Sequence, residues 1–207
     1  MRNLRDMQPI RAISARSAVI ATSLTLALSG CISFGGKPPP TLYSLTPAST
    51  APSGTTISGR LSDAIVVMDP ETDQRLAVLR VPVQVDDSNV AYLKNAQWIA
   101  RPARLFRGLL AETLRAKGSR LVMEGDETEA QGRLRLSGRL RDMGYDARNQ
   151  SVVVRFDAMK QAGANGAIEV KRFEAVEPGI GAKPELVGPA LNRAANSVAA
   201  QVADWVG

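Results

Sequence analysis

The pattern that most constrains the fold of this chain is a series of three predicted strands in its second half. Segments rich in Leu, Val and Arg alternate there with stretches of turn-forming residues. The strands cover 131–142, 151–160 and 168–177, and the turns cover 144–150 and 163–166. Short connections between successive strands predict an antiparallel meander.

In the first of these strands the apolar residues occupy even-numbered positions and the basic residues odd-numbered ones. Leu134, Leu136 and Leu140 share one parity, and the arginines share the other. These are Arg133, Arg135, Arg139 and Arg141. Because successive side chains of a strand point to opposite faces, the leucines should face the core and the arginines the outside. Four guanidinium groups on one face could bind anionic lipid headgroups or an acidic partner. The preferred alternative is a solvated face on which acids such as Asp157 and Glu174, on neighbouring strands, balance the charge.

Two helices are predicted from apolar residues that recur at spacings of three and four. The first covers about 102–117 and ends before Gly118, a residue type typical of helix C-termini. The second begins between Pro184 and Pro189 and runs to about Trp205. Its many alanines allow close packing on a sheet.

Four further short strands are predicted on either side of the first helix. They cover 41–46, 64–68, 76–85 and 119–123. Because proline cannot donate a hydrogen bond to a neighbouring strand, Pro82 predicts an edge strand or a bulge for part of the third segment. The strand–helix–strand order around the first helix predicts a right-handed crossover with parallel pairing. Together the elements predict a single compact α/β domain over residues 41–207, with two helices on a mixed sheet of five or six strands.

The first thirty residues have the order of a cleaved secretory signal peptide. Four arginines and one acid precede the uncharged apolar run 18–28. As a helix this run is about 16 Å long, too short for a bilayer core of about 30 Å. The next residues resemble a bacterial lipobox, with Leu28, Ser29 and Gly30 before Cys31. We expect cleavage before Cys31 and lipid on its thiol, the alternative being a lone cysteine behind an ordinary signal.

Residues 31–40 fit a tether between the lipid anchor and the domain. Gly35 and Gly36 disfavour a helix, and the prolines at 38–40 favour extended polyproline II. A mature lipoprotein carries two or three acyl chains such as palmitate, so anchoring should be stable. Ile32, where Asp would favour retention, predicts transfer to the outer membrane, with the domain facing the periplasm.

The composition excludes several classes of function. The chain has no histidine, and its single cysteine is assigned to lipid, which excludes Ser-His-Asp and Cys-His catalysis and histidine or thiolate zinc sites. Without residues 1–30 it keeps 22 basic and 19 acidic residues, too small an excess for a nucleic-acid footprint. We expect no cofactor, no metal, no nucleic acid and no enzymatic activity. A histidine-free hydrolase is the enzymatic alternative, although the acidic clusters are interpreted as solvated loops. They are Asp86 with Asp87, and Glu124, Asp126, Glu127 and Glu129.

The order of these segments resembles the family of ABC-type transport auxiliary lipoproteins, which includes the paraquat-inducible protein C group. The resemblance spans nearly all of the chain after Cys31, through six segments in order. These are the lipobox, Thr41-Leu42-Tyr43-Ser44-Leu45, Val90-Ala91-Tyr92-Leu93 with Gln97-Trp98 and the leucine-rich helix, Leu134 to Arg141, Arg172-Phe173-Glu174, and the alanine-rich terminal helix from Ala190-Leu191-Asn192 to Trp205-Val206.

This resemblance implies a non-enzymatic component of an envelope lipid-transport system. Such systems pair an ATPase and a permease with a substrate-binding protein of the mammalian cell entry (MCE) type, and the lipoprotein is the receiving or docking component at the outer membrane. The implied partners are the MCE-type protein, the permease and the ATPase, with phospholipid and further copies of this chain as possible additions. The alternative is a structural lipoprotein that binds peptidoglycan or stabilises another envelope assembly.

Overall fold

The computed structural model describes residues 40–118, 120–126, 133–163 and 165–207. Several sequence predictions lie outside these residues. They are the signal peptide at 1–30, the lipobox residues Leu28, Ser29, Gly30 and Cys31, the tether up to residue 39, residues 131–132 of the first meander strand, and Glu127 and Glu129.

Nine strands, one short 3₁₀ turn and two helices form within the described residues. In chain order they are β1 (Thr41–Tyr43), the 3₁₀ turn (Leu61–Asp63), β2 (Ile65–Val67), β3 (Glu71–Thr72), β4 (Arg80–Gln84), β5 (Val90–Trp98), α1 (Pro102–Lys117), β6 (Val122–Glu124), β7 (Leu134–Asp146), β8 (Ser151–Ala162), β9 (Ile168–Glu177) and α2 (Pro184–Val206).

All nine strands belong to one open, mixed sheet organised around β7. On one side of β7, β8 pairs antiparallel along its whole length and β9 pairs with β8, which confirms the predicted meander. On its other side β2, β3 and β4 pair with β7 in succession, all in parallel. Beyond them β6 pairs with β2, while β5 and β1 continue the sheet from β4. The α/β class is as predicted, although the sheet has nine strands rather than five or six.

Both helices cover one face of this sheet and contact each other. Phe106 of α1 meets Phe156 of β8 edge-on, with ring centroids 5.2 Å apart. The helix α1 has the predicted bounds, and Gly118 ends it with a left-handed φ of 69°. We find no helix in the described ranges whose length and hydropathy would allow it to span a bilayer.

The environment of Pro82 differs in part from the prediction. The pairing of β4 with β5 is irregular between Arg80 and Pro82, so the predicted bulge is confirmed. However, β4 is not an edge strand, because it lies between β5 and β7. The proline is tolerated at this central place because the register of β4 with β7 begins only at Val83.

The predicted parallel pairing of the strands that flank α1 is wrong. The strand after the helix, β6, pairs in parallel with β2, and it runs opposite to β5 across the sheet. The reason is that β1 and β4 already occupy both edges of β5. The fully buried strand β2 instead offers its edge to the apolar start of β6.

Candidate functional site

A β-bulge in β7 decides which charges reach the sheet face opposite the helices, which we call the open face. Leu140 and Asp142 pair with consecutive residues of β8, so Arg141 is the extra residue between them. Because one extra residue reverses the alternation of side chains, Met143 rather than Asp142 is buried. Asp142 therefore joins the arginines on the open face.

Three of the arginines on the open face are paired with carboxylates of neighbouring segments. Arg139 Nη2 lies 2.7 Å from Glu71 Oε2, and Arg172 Nε lies 2.5 Å from Asp157 Oδ1. Arg141 Nε is 3.9 Å from the other oxygen of Asp157. The hydrogen bonds from Arg172 hold the pKa of Asp157 below its usual value. The acids expected on the neighbouring strands are thus present beside the arginines.

Asp142 connects several segments in this charged network. Its Oδ1 accepts a hydrogen bond from Arg75 Nη2 at 2.7 Å, and its other oxygen accepts one from Arg155 Nη1. Arg155 also bonds Glu174 of β9, and Arg75 donates to the backbone carbonyl of Arg141 at 2.7 Å. The network therefore ties β7, β8, β9 and the segment before β4 together through side chains that are only partly exposed.

A second cluster closes one end of the open face, at the turn between β7 and β8. Asp146 Oδ1 accepts the backbone N–H of Arg148 at 3.0 Å, and Asp146 Oδ2 accepts its guanidinium at 2.7 Å and the amide of Asn149. Arg148 also reaches Asp87 at 2.5 Å. The hydrogen bonds from Arg148 lower the pKa of Asp146 to about 2. This contact explains why β7 continues through Asp146, beyond the predicted start of the turn at residue 144.

These side chains line a surface cavity of about 440 Å³, which we call the charged cavity. Its walls carry alternating basic and acidic groups and little apolar surface. Its charged residues are Arg75, Arg139, Arg141, Arg148, Arg155 and Arg172 together with Asp73, Asp87, Asp142 and Asp146. Such a lining suits the charged surface of a protein or headgroup rather than an acyl chain.

The four arginines predicted to share one face of β7 do not form one site in the structure. Only Arg139 and Arg141 line the charged cavity. Arg135 donates to Gln161 Oε1 at 2.5 Å, while Arg133 lies at a different surface cavity beside Arg60. The arginines of β8 and β9 were missed, although parity within those strands could have indicated them. Arg75 carried no such signal, because it lies in a loop. The exchange of parity between Asp142 and Met143 could have indicated the bulge that places Asp142.

In the described part of the two acidic clusters, the carboxylates have structural partners. Hydrogen bonds from the Asn89 side chain, and then from the backbone N–H groups of Ser88 and Asn89 to Asp86 Oδ1, lower the pKa of Asp86 to about 2. Glu124 pairs with Arg107 and Arg115. In the part of the chain that the structure describes, no group of three or more potential metal ligands occurs.

Acid should remove the stabilising contribution of Asp146. Its folded pKa of about 2 lies below its ordinary value of 3.8, so this contribution is fully present above about pH 4 and lost as the pH falls through about 2. We expect the Asp146→Asn variant to be about 1 kcal/mol less stable at pH 7. In urea denaturation the difference between variant and parent should shrink steadily from pH 5 towards pH 2. A difference that does not depend on pH would contradict this assignment.

Comparison with known proteins gives a family match and two similar folds. The family model described as "ABC-type transport auxiliary lipoprotein component" matches residues 43–203. A Xanthomonas campestris protein of the DUF330 family is 14% identical, with a TM-score of 0.65 over 80% of this chain and 94% of that one. An uncharacterized protein of known structure is 13% identical, with a TM-score of 0.63 over 82% and 100%. These two structures show similarity of fold alone. No curated protein sequence matches the chain significantly.

Proposed function

Because the chain belongs to the family of ABC-type transport auxiliary lipoprotein components, we propose that it is the outer-membrane docking component of an MCE-type lipid transport system. Membership makes it an auxiliary part of an ABC-type system rather than a member of an enzyme family. The proposal adds the lipid anchor at Cys31, the periplasmic orientation of the domain, and an MCE-type protein with its permease and ATPase as partners.

The observation that carries the docking role is the charged cavity on the face that the helices leave open. Its arginines are held in defined positions by carboxylates, so a partner meets a preorganised surface rather than mobile side chains. Alternating charges of this kind give an interface specificity and speed of association. Because the cavity offers little apolar surface to an acyl chain, we place this domain next to the lipid path and not in it.

In-cell crosslinking followed by affinity purification tests the proposal. Arg139 and Arg193 are matched for the comparison, since each is about half exposed and each pairs with one surface glutamate. Arg139 lies at the charged cavity, whereas Arg193 lies on α2. We expect the parent and Arg193→Glu to recover the MCE-type protein or its permease and ATPase, and Arg139→Glu to lose most of that recovery.

Three results would count against the proposal. Recovery of peptidoglycan-linked or unrelated envelope proteins alone would favour a structural lipoprotein. Equal recovery with both variants would remove the charged cavity from the interface. Phospholipid that co-purifies with the isolated chain in defined stoichiometry would indicate direct lipid handling. The mass of the purified complex also reports whether several copies of the chain assemble.

A further inference from the structure

The edge of the sheet formed by β1 and β5 exposes apolar side chains on the open face. Tyr43 and Trp98 pair across these strands and are both buried on the helix side, with ring centroids 5.6 Å apart. Leu42 of β1 is one residue out of phase with Tyr43, points the other way and is 62% exposed, and Ile99, just after β5, is 55% exposed. The N–H of Ile99 donates to the carbonyl of Tyr43 at 2.9 Å, so the two apolar side chains lie on adjacent backbone segments.

Three basic side chains without acidic partners lie on the segments next to this apolar pair, on β4, on β5 and just before α1. Arg80 of β4 lies in the same cross-strand row as Leu42, and its guanidinium carbon is 3.8 Å from the centre of the Tyr92 ring. Lys94 of β5 and Arg101, just after it, are exposed. Among the described residues no acid forms an ion pair with Arg80, Lys94 or Arg101, in contrast to the paired arginines of the charged cavity. This edge therefore combines exposed apolar groups with uncompensated positive charge.

The predicted tether enters the domain at this same edge. The strand β1 begins at Thr41, ten residues after Cys31, and it lies at the end of the sheet with β5 as its neighbour. Ten residues span at most about 35 Å even when fully extended. A lipid at Cys31 would keep the β1 edge within that distance of the bilayer surface. The far edge strand, β9, is not joined to the predicted tether, so it is not held within that distance of the bilayer.

We propose that the β1–β5 edge rests on the anionic phospholipid surface of the membrane that holds the lipid anchor. Leu42 and Ile99 enter the headgroup region, and Arg80, Lys94 and Arg101 face phosphate groups. Because the anchor already confines the domain near the bilayer, weak contacts suffice to fix its orientation. The inference rests on the anchoring part of the proposed function and not on the identity of the transport partner.

The composition of the chain provides a direct test. Cys31 is the single cysteine. If it carries lipid as proposed, an introduced cysteine is the one free thiol. The full-length lipidated variants Ile99→Cys and Val170→Cys would be labelled with an environment-sensitive fluorophore and reconstituted into vesicles of phosphatidylcholine and phosphatidylglycerol. Val170 is the matched control, because it is 67% exposed and lies on the far edge strand β9. Quenching by nitroxide-labelled lipid should be at least about twofold stronger at position 99.

Charge reversal separates the electrostatic part of this contact from simple proximity. Combining Arg80→Glu, Lys94→Glu and Arg101→Glu should reduce the quenching at position 99, as should omission of phosphatidylglycerol or addition of salt. Lys171→Glu, an exposed cation on β9, should leave it unchanged. Equal quenching at positions 99 and 170 would overturn the proposal. So would quenching at position 99 that does not change with the charge-reversal variants or with salt. So would a label at 99 that becomes shielded only when a partner protein is added. None of these results depends on the crosslinking that tests the transport role.

Discussion

Gly138→Ala should destabilise the domain by about 3 to 5 kcal/mol, because β7 and β8 approach too closely there for any side chain. A Cβ at this position would lie 2.1 Å from the carbonyl oxygen of Asp157 and 2.9 Å from the ring of Phe156. The φ of 149° adds strain for any residue other than glycine. The clash involves backbone that is fixed by the longest ladder of the sheet, so relief requires local separation of the two strands.

Gly108→Ala is the matched control for this prediction. Gly108 lies inside α1, and apart from its chain neighbours and the backbone of its own helix no heavy atom comes within 4 Å of where its Cβ would be. Alanine in a helix interior is favoured over glycine, so this variant should be stabilised by about 0.5 to 1 kcal/mol. Urea denaturation followed by circular dichroism measures both variants. If Gly138→Ala falls within about 1 kcal/mol of the parent, the close approach of β7 and β8 is not as described.

The elements that sequence alone predicted well are those whose signals are local. Helix α1 has the predicted bounds because Pro102 fits its first turn and Gly118 can adopt the left-handed cap. The meander followed in the same way from alternation and short turns. The leucines at 136 and 140 are buried as parity indicated.

Pairings that depend on competition between distant segments could not be read from the sequence. Whether β6 joins β5 or β2 depends on which strand still has a free edge, and that is settled by the whole sheet. The residues of the charged cavity could also be predicted only in part, because distant segments bring them together. The bulge at Arg141 moves Asp142 to the open face, and the sequence marks it only by an exchange of parity, with Asp142 in the apolar series and Met143 in the basic one. The parity argument for β7 therefore found two of the six arginines of the charged cavity and missed Asp142, which joins them.

Trp98→Ala should cost about 3 to 5 kcal/mol in the free energy of unfolding. Its side chain is 1% exposed and packs edge-on against Tyr43. The indole Nε1 has no hydrogen-bond partner among the described residues, so the cost comes from lost packing and the cavity left behind, not from a broken hydrogen bond. The neighbouring variant Ile99→Ala should stay within about 0.5 kcal/mol of the parent, because that side chain is exposed.

The loss at Trp98 should be concentrated at the β1–β5 edge. Three residue pairs join β1 to β5, and Tyr43 is the one residue of β1 that is buried. Hydrogen exchange in Trp98→Ala should therefore accelerate first at the amide of Ile99, which donates to Tyr43, while amides of β8 stay protected until global unfolding. Uniform acceleration would mean that the β1–β5 edge is no weaker than the rest of the sheet. Preferential acceleration would show that β1 depends on one aromatic contact, so the proposed contact of the β1–β5 edge with a membrane surface would support the sheet where it is weakest.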